Sequence, residues 1–367
     1  MLDNTRSGLF SPYTLSSGLE LKNRIVMAPM TRGRARNAGL VPTELHAEYY
    51  RQRASAGLII TEAAWVSPEA IGFINVPGIF SPDQVEGWKK VTEAVHAEGG
   101  HIYLQVAHSG AGSHPDFFAG QPPLAPSAIN PGLRSFTNEG FKETVTPRAM
   151  TLEQIKSTIE DYAVAAKNAK TAGFDGIELH SATTYLLPQF LNSKLNVRTD
   201  AYGGSAENRS RIVIDILEAM LAEWVPGRVG VKLSPTMAMG GFEPTDQTVA
   251  TYNHLAVRLG DLPLSHVQLV KAPNDLKGTP IQVLQDTVAY FRPRLKGTLI
   301  ANFGFDKTLA NAALAAKHAD LVSFGNAFIA NPDLVRRMKE NIPLNQPNRD
   351  LFYQGAAEGY TDYPSAA

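Results

Sequence analysis

Three hydrogen-bonding side chains follow one another at the end of a short apolar run. Residues 177–187 read IELHSATTYLL, which places His180, Thr183 and Tyr185 within six positions. A histidine ring donates a hydrogen bond to a carbonyl or phenolate oxygen, or takes up a proton near neutral pH. A tyrosine has an ordinary pKa of about 10 and therefore acts as a proton donor. The three residues are candidate catalytic groups that bind a substrate oxygen and move protons.

Polar side chains also stand at the ends of the other apolar runs of the chain. They are Thr31, Glu62, Gln105, His108, Lys232, Lys271, Asn302 and Asn326. Any one of them alone would be a structural polar group, but together they indicate a site. The Gln105 amide both donates and accepts, which suits the edge of a heterocycle. No spacing of the His-Glu-x-x-His kind occurs, so we expect no metal.

The elements that would carry these residues are eight apolar runs rich in β-branched residues. They occupy residues 24–30, 57–63, 101–107, 176–182, 229–235, 266–272, 298–304 and 321–327. Continuous hydrophobicity is typical of strands covered on both faces, as in a parallel sheet. Helical patterns lie between the strands, one with Ser81 as N-cap and one with the capping box Thr151–Gln154. The alternation predicts an α/β fold, a (β/α)8 TIM barrel, with a doubly wound sheet as the alternative.

One segment is too long for an ordinary barrel connection. Residues 108–150 follow the third strand and are rich in proline, glycine and serine. Long loops in compact domains are usually functional, so we expect a lid over the barrel mouth, and a disordered insertion is the alternative. Residues 1–367 are expected to form a single domain.

Composition excludes several classes of function. The chain of 367 residues has 34 basic and 35 acidic residues and no cysteine. Thiol chemistry and cysteine-bound metals are therefore excluded, and no basic stripe points to nucleic acid or a membrane surface. The N-terminal ten residues show no secretory signal, and no apolar run is long enough to span a membrane. We expect a cytoplasmic protein, with homo-oligomerisation left open.

Motifs spread over nearly the whole chain resemble the old yellow enzyme family. They include APMTR (28–32), IYLQ (102–105), GIELH (176–180), YLLPQFLN (185–192), RTDAYGGSAENRSR (198–211), LSP (233–235), FIANPDL (328–334) and EGYTDYP (358–364). The resemblance implies a TIM barrel that binds FMN and uses NAD(P)H to reduce alkenes conjugated to a carbonyl or nitro group.

The resemblance also implies a role for individual positions. Those that would contact the flavin are Pro29, Thr31, Ala63, Gln105, Lys232, Gly304 and Gly325. His180 corresponds to the donor to the substrate oxygen, Tyr185 to the proton donor, and Tyr353 to a residue lining the pocket.

The departures from the family pattern concentrate at the cofactor. Asn326 replaces an arginine that pairs with the FMN phosphate, Phe303 replaces a glycine beside that phosphate, and Lys232 replaces an arginine at the flavin edge. A phosphate needs charge-assisted donors, and lysine does not reproduce the arginine fork. On the substrate side, Thr183 replaces the histidine or asparagine partner of His180. Ala107 replaces a tryptophan and Ala111 replaces an arginine, and both changes predict a larger, more apolar substrate pocket. Phe303 and Asn326 are expected to contact the substrate as well.

These departures favour a flavin-independent enzyme on this scaffold. It would act on a hydrophobic, carbonyl-bearing small molecule by redox-neutral acid–base chemistry, as an isomerase or cyclase, without a cofactor. The first alternative is an FMN-dependent NAD(P)H ene-reductase with weakened phosphate anchoring. The second is a barrel that binds a ligand without catalysis.

Overall fold

The computed structural model describes residues 8–367, and its centre is a closed barrel of eight parallel strands. The strands are β1 (Ile25–Met27), β2 (Leu58–Trp65), β3 (Ile102–Ala107), β4 (Gly176–Ser181), β5 (Val229–Leu233), β6 (His266–Val270), β7 (Thr298–Asn302) and β8 (Leu321–Phe324). Each strand pairs with its sequence neighbour, and β8 closes the ring by pairing Val322 with Ile25. The (β/α)8 barrel is therefore confirmed, and the doubly wound alternative is wrong because an open sheet would leave β1 and β8 unpaired.

All eight predicted strands are confirmed. Seven of them are shorter than the apolar run that predicted them, and β2 is one residue longer. Nearly every strand residue is buried, because side chains point alternately into the barrel and against the helices. Most runs extend past the observed strand by two or three residues. Those residues, such as Pro29 after β1, form the start of the loop at the carboxyl end of the barrel, where the candidate polar side chains lie.

Ten helices of residues 8–367 surround or cap the barrel. They are α1 (Glu44–Arg51), α2 (Pro82–Ala97), α3 (Leu152–Thr171), α4 (Leu186–Leu191), α5 (Ala206–Glu223), α6 (Asp246–Leu259), α7 (Thr287–Phe291), α8 (Lys307–Ala315), α9 (Asn326–Ala330) and α10 (Leu334–Glu340). The predicted caps are confirmed: Ser81 accepts from Gln84 N–H, and Thr151 accepts from Gln154 N–H. None of these helices is long and apolar enough to cross a membrane.

The segment 108–150 is folded, so the disordered alternative is wrong. It contains the short strands Leu124–Ala125 and Arg148–Ala149 and the hairpin Arg134–Thr137/Gly140–Glu143. The hairpin packs Phe136 against Phe73 with 5.1 Å between ring centroids. Its function as a lid stays a prediction.

A second hairpin closes the other end of the barrel. Tyr13–Thr14 pairs with Glu20–Leu21, and the Leu15 and Leu21 side chains pack against Val26 at the amino-terminal ends of the strands. This end is thus filled with apolar side chains, which leaves the carboxyl end for chemistry.

Most of the N-terminal segment in which we predicted no secretory signal lies outside the described residues. The expectation of a single domain stays a prediction.

Candidate active site

His180 and Tyr185 meet at the carboxyl end of β4. His180 lies within β4 and is only 8% exposed, whereas Tyr185 precedes α4. Their rings stack with 4.6 Å between centroids and 29° between planes. The His180 Nδ1 accepts a hydrogen bond from the Ala182 backbone N–H at 3.2 Å. In a neutral ring the hydrogen must then be on Nε2, so His180 is a donor at that atom.

The electrostatic surroundings keep both rings uncharged. Burial, together with the positive charge of Lys232, lowers the pKa of His180 to about 3. Burial also raises the pKa of Tyr185 to about 12, partly offset by a hydrogen-bonding interaction with Thr31. At neutral pH His180 is therefore a neutral donor rather than a base, and Tyr185 retains its phenolic proton. The roles of His180 as donor to a substrate oxygen and of Tyr185 as proton donor stay predictions.

The structure gives Thr183 a less direct position. It adopts the left-handed conformation at φ 58°, which is unusual for a β-branched residue. Its hydroxyl donates to the Ala182 carbonyl oxygen at 2.7 Å, and its N–H donates to Ser234 Oγ at 2.7 Å. The hydroxyl hydrogen is thus already engaged, and only its lone pairs are left for a ligand. A catalytic role for Thr183 stays a prediction, with no hydrogen bond to His180 or Tyr185 within residues 8–367.

A cleft of about 420 Å³ opens beside the ends of β7 and β8. It is lined by six of the residues that the sequence assigned to a cofactor or substrate: Pro29, Lys232, Phe303, Gly304, Gly325 and Asn326. These residues come from four different strand ends, and barrel closure brings them together. We call this space the β7–β8 cleft.

The backbone of the β7–β8 cleft fits a phosphate in spite of Phe303. Phe303 has φ 77° and a side chain that is 51% exposed, so the main chain keeps a path typical of glycine. Gly304 has φ 72° and open space where a Cβ would stand. Within residues 8–367, the backbone N–H groups of Gly304, Gly325 and Asn326 donate to no acceptor. Free N–H groups around a concave surface are the donors that bind phosphate, so the residues present fit FMN.

The predicted flavin-ring contacts lie deeper in the barrel. Gln105 on β3 is 2% exposed and pairs in register with Ala63 on β2. Its Nε2 donates to Glu178 Oε1 at 2.7 Å. Glu178 was missed as a site residue, although an acidic residue inside the apolar run GIELH is itself a signal of buried polar contacts.

Lys232 on β5 is buried and stands in register with His180. Burial lowers the pKa of its ammonium group, and the nearby Glu178 opposes that shift. No described acidic side chain forms an ion pair with Lys232, which lines the β7–β8 cleft. Lys271 differs, because its Nζ lies over the Phe305 ring at 5.6 Å from the centroid.

The substrate side is more aromatic than the sequence indicated. Ala107, expected to enlarge the pocket, is fully buried and stands in register with Trp65 on β2. The Trp65 ring lies 6.0 Å from that of Tyr185, so an indole is present even though position 107 lacks one. Trp65 was missed because only the register between β2 and β3 places it there. Tyr353 is 42% exposed and packs on Phe73.

Two buried arginines hold the segment that carries Tyr353. Arg32 Nε and Arg34 Nη1 both donate to the Phe352 carbonyl oxygen, at 3.1 and 2.9 Å. Arg34 also donates to the Leu351 carbonyl at 2.8 Å. Because guanidinium groups offer several donors in one plane, the pair fixes this loop beside the site. These contacts join residues more than 300 positions apart, so no local sequence pattern predicts them.

Comparison with known proteins agrees with this geometry. Residues 8–345 match the family described as NADH:flavin oxidoreductase / NADH oxidase. The flavin oxidoreductase hxnT of Emericella nidulans is 40% identical, with 98% of this chain and 97% of the relative covered. The 12-oxophytodienoate reductase 1 of Oryza sativa subsp. japonica is 38% identical, with 97% and 92% covered.

Solved structures are similar over the same range. Morphinone reductase in complex with tetrahydroNAD is 42% identical with a TM-score of 0.91, and 98% of each chain is covered. An old yellow enzyme homologue from Zymomonas mobilis is 39% identical with a TM-score of 0.91, covering 97% of this chain and 99% of that one.

These findings contradict the flavin-independent isomerase or cyclase that the sequence departures favoured, and with it the preference for no cofactor. The relatives are named a flavin oxidoreductase and a reductase, and each covers 98% of this chain, while the family match covers residues 8–345. The preference for a flavin-free enzyme rested on the side chains of Phe303, Asn326 and Lys232. The β7–β8 cleft offers backbone donors, and Phe303 leaves the backbone path intact.

Proposed function

Because the chain belongs to the NADH:flavin oxidoreductase / NADH oxidase family and resembles its old yellow enzyme homologues, we propose that it is an FMN-dependent NAD(P)H ene-reductase. Its substrate would be a hydrophobic small molecule with an alkene conjugated to a carbonyl group. The observation that carries this proposal is the pairing of a neutral His180, with its hydrogen on Nε2, and a stacked, protonated Tyr185.

The chain's own residues support a division of labour in that reaction. His180 Nε2–H would donate to the substrate carbonyl oxygen and withdraw electron density from the conjugated alkene. Tyr185 would supply a proton to the alkene carbon, since its phenol stays protonated at neutral pH. FMN, when bound, supplies the hydride chemistry that no protein side chain provides.

The residues that would hold FMN are distributed over the two regions already described. Gln105 and Lys232 would face the ring, with Pro29, Thr31 and Ala63 beside it, and the N–H groups of Gly304 and Gly325 would face the phosphate. Lys232 is suited to the electron-rich edge of the ring because its charge is not neutralised by an ion pair with a described residue. The weak point is Asn326, which places an uncharged side chain where a charged donor would strengthen phosphate binding.

The substrate class is supported by the aromatic surroundings of the proton donor. Tyr185 and Tyr353 present flat apolar surfaces, and the fully buried Trp65 ring lies 6.0 Å from the Tyr185 ring; such surfaces favour a cyclic enone over a small polar substrate. Two relatives are named reductases of 12-oxophytodienoate and of morphinone, both oxo compounds by name. A cytoplasmic location and a homo-oligomeric state stay predictions.

The test is the visible absorption spectrum of the purified protein, recorded before and after addition of FMN. We expect a yellow protein with up to one FMN per chain, bleached by NADH or NADPH without oxygen and restored by 2-cyclohexenone. Tyr185→Phe is the matched variant, and it should be bleached as before but restored much more slowly. A colourless protein that takes up no FMN, or flavin that NAD(P)H does not bleach, would refute the proposal.

A further inference from the structure

Glu178 is the centre of a buried polar network that the proposed reaction does not use directly. It lies in β4 with no exposed surface, among apolar strand residues. Gln105 Nε2 donates to its Oε1 at 2.7 Å, and Gln268 Nε2 and His266 Nε2 donate to its Oε2 at 2.7 and 2.9 Å. Three N–H donors from β3 and β6 thus converge on one carboxylate inside the barrel.

The local sequence makes room for this convergence. A Cβ at Gly230 would lie 2.3 Å from the His266 ring, so only glycine on β5 lets the imidazole reach Glu178. Gly230 is the direct neighbour of Glu178 in the β4–β5 register. The network is therefore built into the barrel interior, where an unpaired polar group would be costly.

A carboxylate accepts hydrogen bonds and donates none, so it determines which way its amide partners point. Gln105 must turn its nitrogen toward Glu178. Its Oε1 then faces away from Glu178, and no described group donates to that oxygen. Gln268 behaves in the same way, because its Oε1 accepts from Ser323 Oγ at 2.9 Å. Without the carboxylate, no described group would orient the Gln105 amide, whereas Gln268 would keep its contact with Ser323 Oγ.

We propose that Glu178 is a positioning residue that acts through Gln105. It presents the Gln105 oxygen to the imide N–H of a bound flavin, and thereby strengthens flavin binding. This inference rests on the proposed function, since it assumes that the ring lies against Gln105. Glu178 itself touches neither flavin nor substrate.

The test is a double-mutant cycle on the Kd for FMN, measured by equilibrium quenching of FMN fluorescence. Glu178→Gln keeps the shape but offers an amide in place of one acceptor oxygen, which lets Gln105 turn around. We expect it to weaken FMN binding about tenfold, as for the loss of one well-placed hydrogen bond. In a Gln105→Ala background the same substitution should change the Kd by less than about twofold, because the residue through which it acts is gone.

His266→Gln is the matched control. It changes the same network, but His266 donates to Glu178 Oε2, whereas Gln105 donates to Glu178 Oε1. It should leave the Kd within about twofold. If Glu178→Gln does not fold, as judged by circular dichroism, Glu178→Asp replaces it, because the shorter side chain withdraws the carboxylate from Gln105 and keeps the charge.

The outcomes separate this inference from the proposed function. A wild-type protein that binds no FMN overturns both. A wild-type protein that binds FMN while Glu178→Gln binds it equally well overturns only the role of Glu178. An equal weakening with and without Gln105 also overturns it, because the effect would then be general damage to the barrel.

Discussion

Replacing Asn326 by arginine should tighten FMN binding through the phosphate alone. Asn326 is exposed at the start of α9 and lines the β7–β8 cleft. Among the described residues lining that cleft, Lys232 is the only charged one. Asn326→Arg therefore adds a charge-assisted donor beside the free N–H groups of Gly304 and Gly325.

The magnitude follows from the worth of a charged hydrogen bond. Such bonds contribute roughly 1.5–3 kcal/mol, which corresponds to about 10- to 150-fold in Kd. Because position 326 is open to water, screening places the effect at the low end, and we expect about tenfold tighter FMN binding.

Riboflavin provides the decisive comparison, since it lacks the phosphate and shares the ring. Fluorescence titration should show tighter FMN binding in Asn326→Arg and unchanged riboflavin binding, and the gain should shrink in 0.5 M salt. Asn326→Gln, which lengthens the side chain without charge, should leave both ligands unchanged. A gain shared by riboflavin, or none for FMN, would show that the phosphate does not lie at the β7–β8 cleft.

Three further predictions test the site and its surroundings. Thr183→Asn should raise the free energy of unfolding, measured in urea, by about 1 kcal/mol, because asparagine tolerates the left-handed backbone at φ 58°. Thr183→Val should lower that free energy. A Thr183→Asn variant that is less stable than the wild type would contradict backbone strain at this position. Tyr185→Phe should slow alkene reduction by roughly 10²- to 10⁴-fold with no change in melting temperature, and an unchanged rate would remove the phenol from the mechanism. Burial lowers the pKa of three histidines below the ordinary value of 6.5. The pKa falls to about 4 for His46 and to about 3 for both His108 and His180. The unfolded chain therefore binds more protons below pH 6.5, while burial raises the pKa of Glu62 to about 7 and offsets one of the three. The unfolding free energy should thus be largest near pH 7 and fall by about 3 kcal/mol per pH unit between pH 6 and 5. Urea denaturation at a series of pH values measures it, and an unfolding free energy that does not change with pH would contradict the burial of these histidines.

Much of the fold could be predicted from the sequence because the signals are local. A strand covered on both faces needs an apolar side chain at every position, and eight such runs are visible in the chain. The caps at Ser81 and Thr151 are likewise set by residues three positions apart. The placement of His180, Gln105 and Lys232 at one mouth also follows, since parallel barrel strands end on the same side.

The function drawn from the departures was wrong for a physical reason. Phe303 and Asn326 are side-chain changes at a place where three backbone N–H groups, those of Gly304, Gly325 and Asn326, donate to no described acceptor and can bind a phosphate. A sequence shows which side chain is lost, but it does not show whether the main chain has kept its path. The φ of 77° at Phe303 shows that it has.

The sequence by itself determined the eight strands, the His180–Tyr185 pair and the family pattern, all of which depend on residue type and short spacing. Only the tertiary structure decided which residues share the site across the barrel. Trp65 opposite Ala107, the three donors around Glu178 and the arginines that hold Phe352 join positions tens to hundreds of residues apart. Barrel closure and strand register set these contacts, and register is a property of neighbouring strands rather than of any one segment.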